Sequence, residues 1–209
     1  MAKIKLTKTE LKAQTDALKR FRRFLPMLQL KKQQLQAEIA GIVAKVEAVS
    51  KRERAAHERL DRWVGLLATE PSVADGLVEL NGVETTIANI AGVTIPVYKG
   101  IDAKVKDVDL WSTPVWIDDL VDASMEMLAL KSERAILSRQ RELIAAELQT
   151  TSQRVNLFEK VKIPECRENI RVIKIAIGDE QTAAVTRGKI AKGRSKGASS
   201  ESDDVEEAS

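Results

Sequence analysis

Residues 11–67 read LKAQTDALKRFRRFLPMLQLKKQQLQAEIAGIVAKVEAVSKRERAAHERLDRWVGLL, and this stretch decides the fold. Two interleaved sets of seven-residue steps, one beginning at Leu11 and the other at Gln14, place seventeen positions on one helical stripe. Only Gln14, Lys32 and Glu53 among these positions are not apolar. Because 44% of the chain is hydrophobic, chance would place apolar residues at fewer than half of the seventeen positions. The pattern predicts a long helix whose apolar stripe, called the seam below, needs a partner helix.

This first helix is expected to begin near Thr7 or Thr9, whose hydroxyls can cap it, and to continue to about residue 68. Pro26 interrupts the helix without shifting the phase of the seam, and its position faces outward, so we expect a kink rather than a break. The predicted core positions of this seam are Leu11, Leu18, Phe21, Leu25, Leu28, Leu35, Ile39, Ile42 and Val46.

A second seam with the same alternation of four and three residues runs from Trp116 to Phe158, with Arg134 and Arg141 as its charged members. It resumes one residue late at Ile163, which indicates a local change in the phase of the helix. The predicted core positions of the second seam are Leu137, Ile144, Leu148, Val155, Ile170 and Ile173.

Between the seams, residues 69–112 lose the helical period and contain several glycines and prolines. Two short β-prone runs, 83–90 and 93–98, flank Ala91-Gly92 and predict a small β-hairpin that packs against the end of the paired helices. The predicted fold is mainly α: a long antiparallel two-helix coiled coil with a small Gly/Pro-punctuated insert carrying that hairpin. Parallel dimerisation of each helix is the rival topology.

The predicted domains are an N-terminal coiled-coil helix, an insert, a C-terminal coiled-coil helix and a disordered tail that is first basic and then acidic. Their bounds are 1–68, 69–112, 113–186 and 187–209.

Composition limits the functional classes. Aromatic residues make up only 3% of the chain, which favours a narrow helix–helix seam over a compact globule. The net charge of +3 does not mark the whole molecule as a nucleic-acid binder. One cysteine, no secretory signal and no apolar run of about 20 residues predict a cytoplasmic protein that does not insert into the membrane.

Catalytic chemistry is nearly absent from the sequence. The single histidine, His57, lies beside the seam and is expected on the helix surface, whereas Cys166 lies on the seam and is expected in the core. The run Gly188–Ser195 has the glycine spacing of a phosphate-binding loop, but it lacks the strand and helix that such a loop needs. We therefore predict no catalytic residue, no metal ligand and no cofactor.

Two runs in opposite helices resemble the D subunit of the V/A-type rotary ATPases, particularly that of the bacterial V-type ATP synthases. The first run is LPMLQLKK at residues 25–32, after the Leu6-Thr7-Lys8 triplet, and the second is RVNLFE at 154–159 with Ile163-Pro164. The resemblance covers nearly the whole chain, and Phe158 departs from it because alanine is common there. The residues that carry the family motif are Leu25, Pro26, Lys31, Arg154, Val155, Asn156 and Pro164.

The resemblance implies a non-catalytic central rotor shaft that transmits torque between a catalytic hexamer and a membrane ring that translocates ions. The hexamer of A and B subunits would enclose the end that holds both termini, 6–18 and 170–185. The F subunit would bind the side of the coil, and the C subunit would join the insert end to the membrane ring. The protein would then be cytoplasmic and peripheral to the membrane.

Two other functional classes fit parts of the pattern. A non-rotary coiled-coil scaffold or export-apparatus stalk shares the two long helices but normally lacks a hairpin insert between them. A nucleic-acid binder would use the basic cluster at 187–196, where a solvated tail is the simpler interpretation.

Overall fold

A computed structural model describes residues 4–62, 65, 76–106 and 114–206, with residues 193–206 described by backbone alone. Helix α1 spans Lys8–Asp61, strand β1 spans Val78–Ile90 and strand β2 spans Val93–Val105. Helix α2 (Ile117–Asn156), a π-helical turn (Leu157–Lys162) and helix α3 (Ile163–Glu206) then follow one another without a gap. Two long helical segments and an antiparallel hairpin confirm the predicted fold class. The predicted domain bounds stay predictions, and Trp63, Leu67 and Trp111 lie outside the described residues.

The chain forms two compact units, which are described separately. The hairpin unit comprises Gln29–Gln153, and the terminal unit comprises Met1–Leu28 with Arg154–Ser209.

Helix α1 begins where a threonine hydroxyl can satisfy a free backbone donor. The Thr7 hydroxyl accepts a hydrogen bond from the backbone N–H of Glu10 at 3.3 Å, so Thr7 is the capping residue. Pro26 lies inside α1 without ending it. Both Pro26 and Arg22, whose carbonyl loses its helical donor, are exposed, so water can satisfy that carbonyl.

In the hairpin unit, α1 and α2 run antiparallel, because their ion pairs join increasing residue numbers on one helix to decreasing numbers on the other. Lys31, Arg52 and Arg59 pair with Glu147, Glu133 and Glu126, at 2.6, 3.0 and 2.6 Å. The charged seam members Glu53 and Arg134 also meet, at 3.1 Å, and the Glu53 side chain is only 14% exposed. The half-buried carboxylate of Glu53 is therefore tolerated because the guanidinium of Arg134, whose side chain is 47% exposed, neutralises it.

The hairpin is longer than predicted and lies in a different place. Its strands have thirteen residues each. The pairing of the strands shifts register between Leu80 and Gly82 and again between Glu84 and Thr85, and it continues beyond both shifts. The expectation that it packs against the end of the coil is wrong. Ile95, 2% exposed, packs with Leu35, Ile42 and Ile144 along the side of the paired helices. Apolar side chains on one face of the strands explain this position, since they cover the flank of the seam.

A second contact holds the hairpin in that position. The buried Gln140 side chain of α2 donates a hydrogen bond from Nε2 to the backbone carbonyl of Pro96 at 2.6 Å. Pro96 has no backbone N–H to donate within the sheet, but its carbonyl oxygen can accept a hydrogen bond at the edge of the strand. The amide thus satisfies two polar groups at the boundary between hairpin and helix.

The tight turn of the hairpin is where the sequence predicted it. Ala91 and Gly92 both have positive φ, 50° and 82°, as a two-residue type I′ turn requires. The Asn89 side-chain oxygen accepts a hydrogen bond from the Gly92 N–H at 2.9 Å and closes the turn. Ala91 is the strained member, because its Cβ is disfavoured at positive φ.

In the terminal unit, the π-helical turn explains why the second seam slips by one residue. The backbone N–H of Ile163 donates to the carbonyl of Phe158, five residues back instead of four. The extra residue rotates the following helix so that Ile163 and Cys166 are buried, 7% and 5% exposed. Pro164 follows directly, and the widened turn relieves the clash that a proline ring makes with the preceding carbonyls.

Helix α3 continues to Glu206, over the stretch predicted to be disordered from residue 187. Residues 178–192 are all exposed. The hydroxyl groups of Thr182 and Thr186 donate to the carbonyls of Gly178 and Thr182, one turn back. The absence of an apolar period therefore did not prevent helix formation in this stretch.

Replacing Ala91 with asparagine is expected to stabilise the hairpin unit by about 0.5–1 kcal/mol, because asparagine tolerates positive φ better than alanine. Urea unfolding measures the change. Ala37→Asn, at an exposed position of helix α1, should instead destabilise by roughly 0.5 kcal/mol. Equal destabilisation by both substitutions would contradict the turn geometry.

Candidate functional site

The apolar seam is the candidate functional feature of this chain, and its fifteen predicted core positions fall into two burial classes. Six of the fifteen predicted side chains are buried: Leu35, Ile42, Leu137, Ile144, Val155 and Ile173. The other nine are half-buried: Leu11, Leu18, Phe21, Leu25, Leu28, Ile39, Val46, Leu148 and Ile170.

The burial of the seam differs between the two units. In the hairpin unit, Val49 and Ala56 of α1 pack with Met127, Leu130 and Leu137 of α2 in one continuous cluster. In the terminal unit, the predicted α1 seam positions are all half-buried. Two helices without a third covering element leave the flanks of their seam open to water.

An aromatic pair connects the two helical segments of the terminal unit. The rings of Phe21 on α1 and Phe158 in the π-helical turn lie 5.0 Å apart between centroids, tilted by 47°. This tilted arrangement is favourable for aromatic rings. Phe158, the departure from the family pattern, thus fills the seam opposite Phe21.

Six of the seven family-motif residues belong to the terminal unit, and Lys31 belongs to the hairpin unit. Val155 is buried and Leu25 is half-buried, so these two contribute to packing. Lys31 donates to Glu147 at 2.6 Å across the hairpin unit. The remaining four are exposed: Pro26, Arg154, Asn156 and Pro164.

The two residues considered for chemistry, His57 and Cys166, belong to different units. His57 is exposed, with its Nδ1 atom 3.3 Å from a carboxylate oxygen of Asp61 one turn away. Burial, together with the nearby Glu165 carboxylate, raises the pKa of the Cys166 thiol above its ordinary value of 9.0, and Lys162 opposes the shift. A protonated, buried thiol is a poor nucleophile.

The glycine-containing run that resembles a phosphate-binding loop lies inside helix α3. Its backbone N–H groups are therefore engaged in helical hydrogen bonds and do not form a cradle for phosphates. In the part of the chain that the structure describes, no three His, Cys, Asp or Glu side chains lie close enough to bind a metal ion. No helix in the described ranges is long and apolar enough to cross a membrane.

A surface groove of about 920 Å³ lies in the terminal unit, between the start of α1 and the region of the π-helical turn. Ile4, Gln14, Val161 and Pro164 contribute to its lining, along with several charged side chains. Nearby, the Arg171 guanidinium lowers the pKa of the Glu168 carboxyl by hydrogen bonding, so this exposed pair remains charged. The groove shows no nucleophile paired with a base.

The sequence interpretation missed the ion pairs between α1 and α2 and the bond from Gln140 to Pro96. The sequence does contain complementary charges, because basic residues of α1 and acidic residues of α2 can be aligned in an antiparallel arrangement. The sequence of either helix alone does not determine the axial register, and the register decides which charges meet.

Comparison with known proteins identifies the family. Residues 10–193 match the family model described as the D subunit of ATP synthase. The chain belongs to this family. A protein from Borreliella burgdorferi, named as the D subunit of V-type ATP synthase, is 43% identical over 92% of this chain and 95% of the relative. Proteins of the same name from Chlamydia felis and Chlamydia pneumoniae are 33% and 31% identical, over 91% and 90% of this chain and 93% and 91% of each relative. These matches confirm the resemblance.

Two isoleucines on α3 allow a matched test of the slipped seam. Ile173 is 0% exposed, whereas Ile175 is 51% exposed. Ile173→Ala is expected to lower the free energy of unfolding by about 2–4 kcal/mol, because it leaves a cavity. Ile175→Ala should change it by no more than about 0.5 kcal/mol. Similar effects in urea unfolding would contradict the phase that the π-helical turn imposes.

Cys166 should react slowly with a thiol reagent in the native protein. Because the pKa of its thiol is raised, the labelling rate should increase with pH only above the range where an exposed cysteine responds. The reference is Ala184→Cys in a Cys166→Ser background, since Ala184 is exposed. Equal rates for the two proteins at pH ~7.5 would be inconsistent with a buried, protonated thiol.

Proposed function

We propose that this chain is the central rotor shaft, or D subunit, of a V/A-type ATPase or ATP synthase. It would transmit torque between a catalytic hexamer of A and B subunits and a membrane ring that translocates ions. The observation that carries the proposal is the family match over residues 10–193, supported by 43% identity to the D subunit of a V-type ATP synthase along nearly its full length.

The physical character of the chain supports a mechanical role. Torque transmission requires an element that resists twisting, and paired helices with interlocked apolar side chains resist rotation about each other more than a single helix does. In the hairpin unit, the ion pairs from Lys31–Glu147 to Arg59–Glu126 hold the two helices in register. The outer faces are charged and exposed, which suits a surface that turns against its surroundings.

We infer that ATP is hydrolysed or synthesised on other subunits of the complex and that this chain is non-catalytic. Burial raises the pKa of the Cys166 thiol, and His57 is an exposed residue beside Asp61. Within each unit, the described residues show no activated nucleophile of the kind that covalent catalysis needs. The proposed partners are A and B around the terminal unit, F along the side of the coil, and C between the insert end and the membrane ring. The complex would place this chain in the cytoplasm, peripheral to the membrane.

Co-expression with the cognate A and B subunits tests the proposal. The full chain should co-purify with the hexamer, and a bead attached to it should rotate when ATP is supplied. A hexamer that hydrolyses ATP but neither binds nor rotates this chain would refute the rotor function and favour a non-rotary scaffold. Ile175→Ala changes an exposed position outside the seam and controls for effects of substitution and purification. It should co-purify and rotate like the unmodified chain.

A further inference from the structure

Asn81 is the only asparagine of this chain that is followed by glycine. The other three asparagines are each followed by a large apolar residue: Ile90, Leu157 or Ile170. The backbone nitrogen of the following residue can attack an asparagine side chain, and a side chain on that residue hinders the attack. Glycine has no Cβ and permits the widest range of backbone dihedral angles. Asn81-Gly82 is therefore the pair in this sequence that is best suited to such a reaction.

Asn81 has no partner in the ladder between the two strands. Leu80 pairs with Ala103 and Gly82 pairs with Asp102, so β1 carries one more residue than β2 between these two pairs. An extra residue of this kind forms a β-bulge, which interrupts the regular hydrogen bonding of the strands. The backbone at Asn81 is therefore less constrained than that of a residue inside a regular ladder.

The bulge also faces water. Glu79, Leu80 and Asn81 are exposed in succession, so the usual alternation between the two faces of a strand is broken here. Among the described residues, only the chain neighbours of Gly82 have atoms within 4 Å of the position that a Cβ on this glycine would occupy. The φ angle of Gly82 also lies outside the left-handed region. Water thus reaches the site, and a methyl group at residue 82 would cause no clash.

Packed regions hold the hairpin on both sides of the bulge. On one side, Leu77 is 4% exposed and packs in a cluster with Ile117. On the other side, Ile95 is 2% exposed and packs in a cluster with Leu35 of α1. A chemical change at Asn81 therefore does not require the hairpin to leave the helices.

We propose that Asn81 is a site of spontaneous deamidation in the folded protein, with water as the co-reactant. The Gly82 backbone nitrogen loses its proton and attacks the side-chain carbonyl carbon of Asn81, and the new carbon–nitrogen bond closes a succinimide ring. The bond from that carbon to the side-chain nitrogen breaks, and the NH2 group takes up a proton and leaves as ammonia. Water then opens the ring at either carbonyl, which yields aspartate or isoaspartate at position 81.

Both products change the electrostatics of the hairpin. Each adds one negative charge at the bulge, where Glu79 and Glu84 lie on the same strand and Asp102 lies opposite Gly82. Like charges at neighbouring strand positions destabilise a sheet. Isoaspartate also adds a methylene group to the main chain, which displaces the pleat beyond the bulge. The reaction therefore alters the middle of the hairpin as the protein ages, without an enzyme.

Incubation of the folded full chain, followed by peptide mapping with mass spectrometry, tests the proposal. Asn81 should gain the mass difference between aspartate and asparagine. Asn89, exposed in the same strand, should remain intact because Ile90 follows it and its side-chain oxygen accepts a hydrogen bond from the Gly92 N–H at 2.9 Å. The conversion rate at Asn81 should increase about tenfold from pH ~7.5 to pH ~9, because the attacking nitrogen must lose a proton. Equal conversion of the two asparagines, or a rate that does not depend on pH, would overturn the proposal.

Two glycine substitutions in the hairpin provide a matched comparison. Gly82→Ala should slow the conversion of Asn81 by at least about tenfold, because the added Cβ hinders ring closure and restricts the backbone. Gly100→Ala makes the same change on the other strand, where the new Cβ would lie 3.9 Å from a Glu84 carboxylate oxygen, an ordinary contact distance. Its rate should stay within about twofold of the unmodified chain. Circular dichroism should show the same fold for all three proteins, and equal rates for Gly82→Ala and the unmodified chain would refute the mechanism.

A comparison with the unfolded chain decides whether the folded structure permits the reaction. Asn81 in the folded chain should convert at no less than about one-tenth of its rate in guanidinium, because the bulge leaves its backbone unpaired. Conversion confined to the unfolded chain would show that the strand protects Asn81, and the proposal would be wrong. These measurements use the isolated chain, so their outcome does not depend on the proposed rotor function.

Discussion

Closure of the apolar seam of α1 against the helical segments that follow the hairpin is the interaction on which the other features depend. A single helix with Leu35 and Ile42 on one stripe exposes those side chains to water until a partner covers them. Ile144 meets them from α2, and all three are almost fully buried. The hairpin in turn depends on this pairing, because Ile95 has a surface to cover only once the two helices have met.

The seam also imposes a constraint on the backbone of the C-terminal segment. Its apolar positions follow one alternation of four and three residues up to Phe158. The alternation resumes one residue late at Ile163. A regular helix through both stretches would turn one of them away from α1. The π-helical turn accommodates one extra residue and lets both stretches face inward, at the cost of less regular hydrogen bonding over a single turn. Phe158 lies within that turn and packs on Phe21, so the irregularity is filled by a large side chain.

Charge is distributed differently in the two units. In the hairpin unit, three basic residues of α1 pair across the seam with acidic residues of α2. Glu53 of α1 pairs with Arg134 of α2, and the four pairs together favour one axial register over its neighbours. In the terminal unit, the exposed basic residues 19–23 have no such partner among the described residues. The paired charges of the hairpin unit therefore favour one register of its two helices, whereas the basic residues at 19–23 of the terminal unit do not serve that purpose.

Much of the architecture followed from the sequence alone, because a heptad period is a local property of the chain. The two helices, their inner faces, the phase slip after Phe158 and the turn at Ala91-Gly92 are all determined by residues within a few positions of one another. The family also emerged from two short runs. Tertiary structure decided the rest: the partners of Lys31 and Arg59, the side of the coil that the hairpin covers, and the length of its strands. These depend on which turn of one helix meets which turn of the other, and residues distant in sequence settle that choice through packing and charge pairing that neither segment specifies by itself.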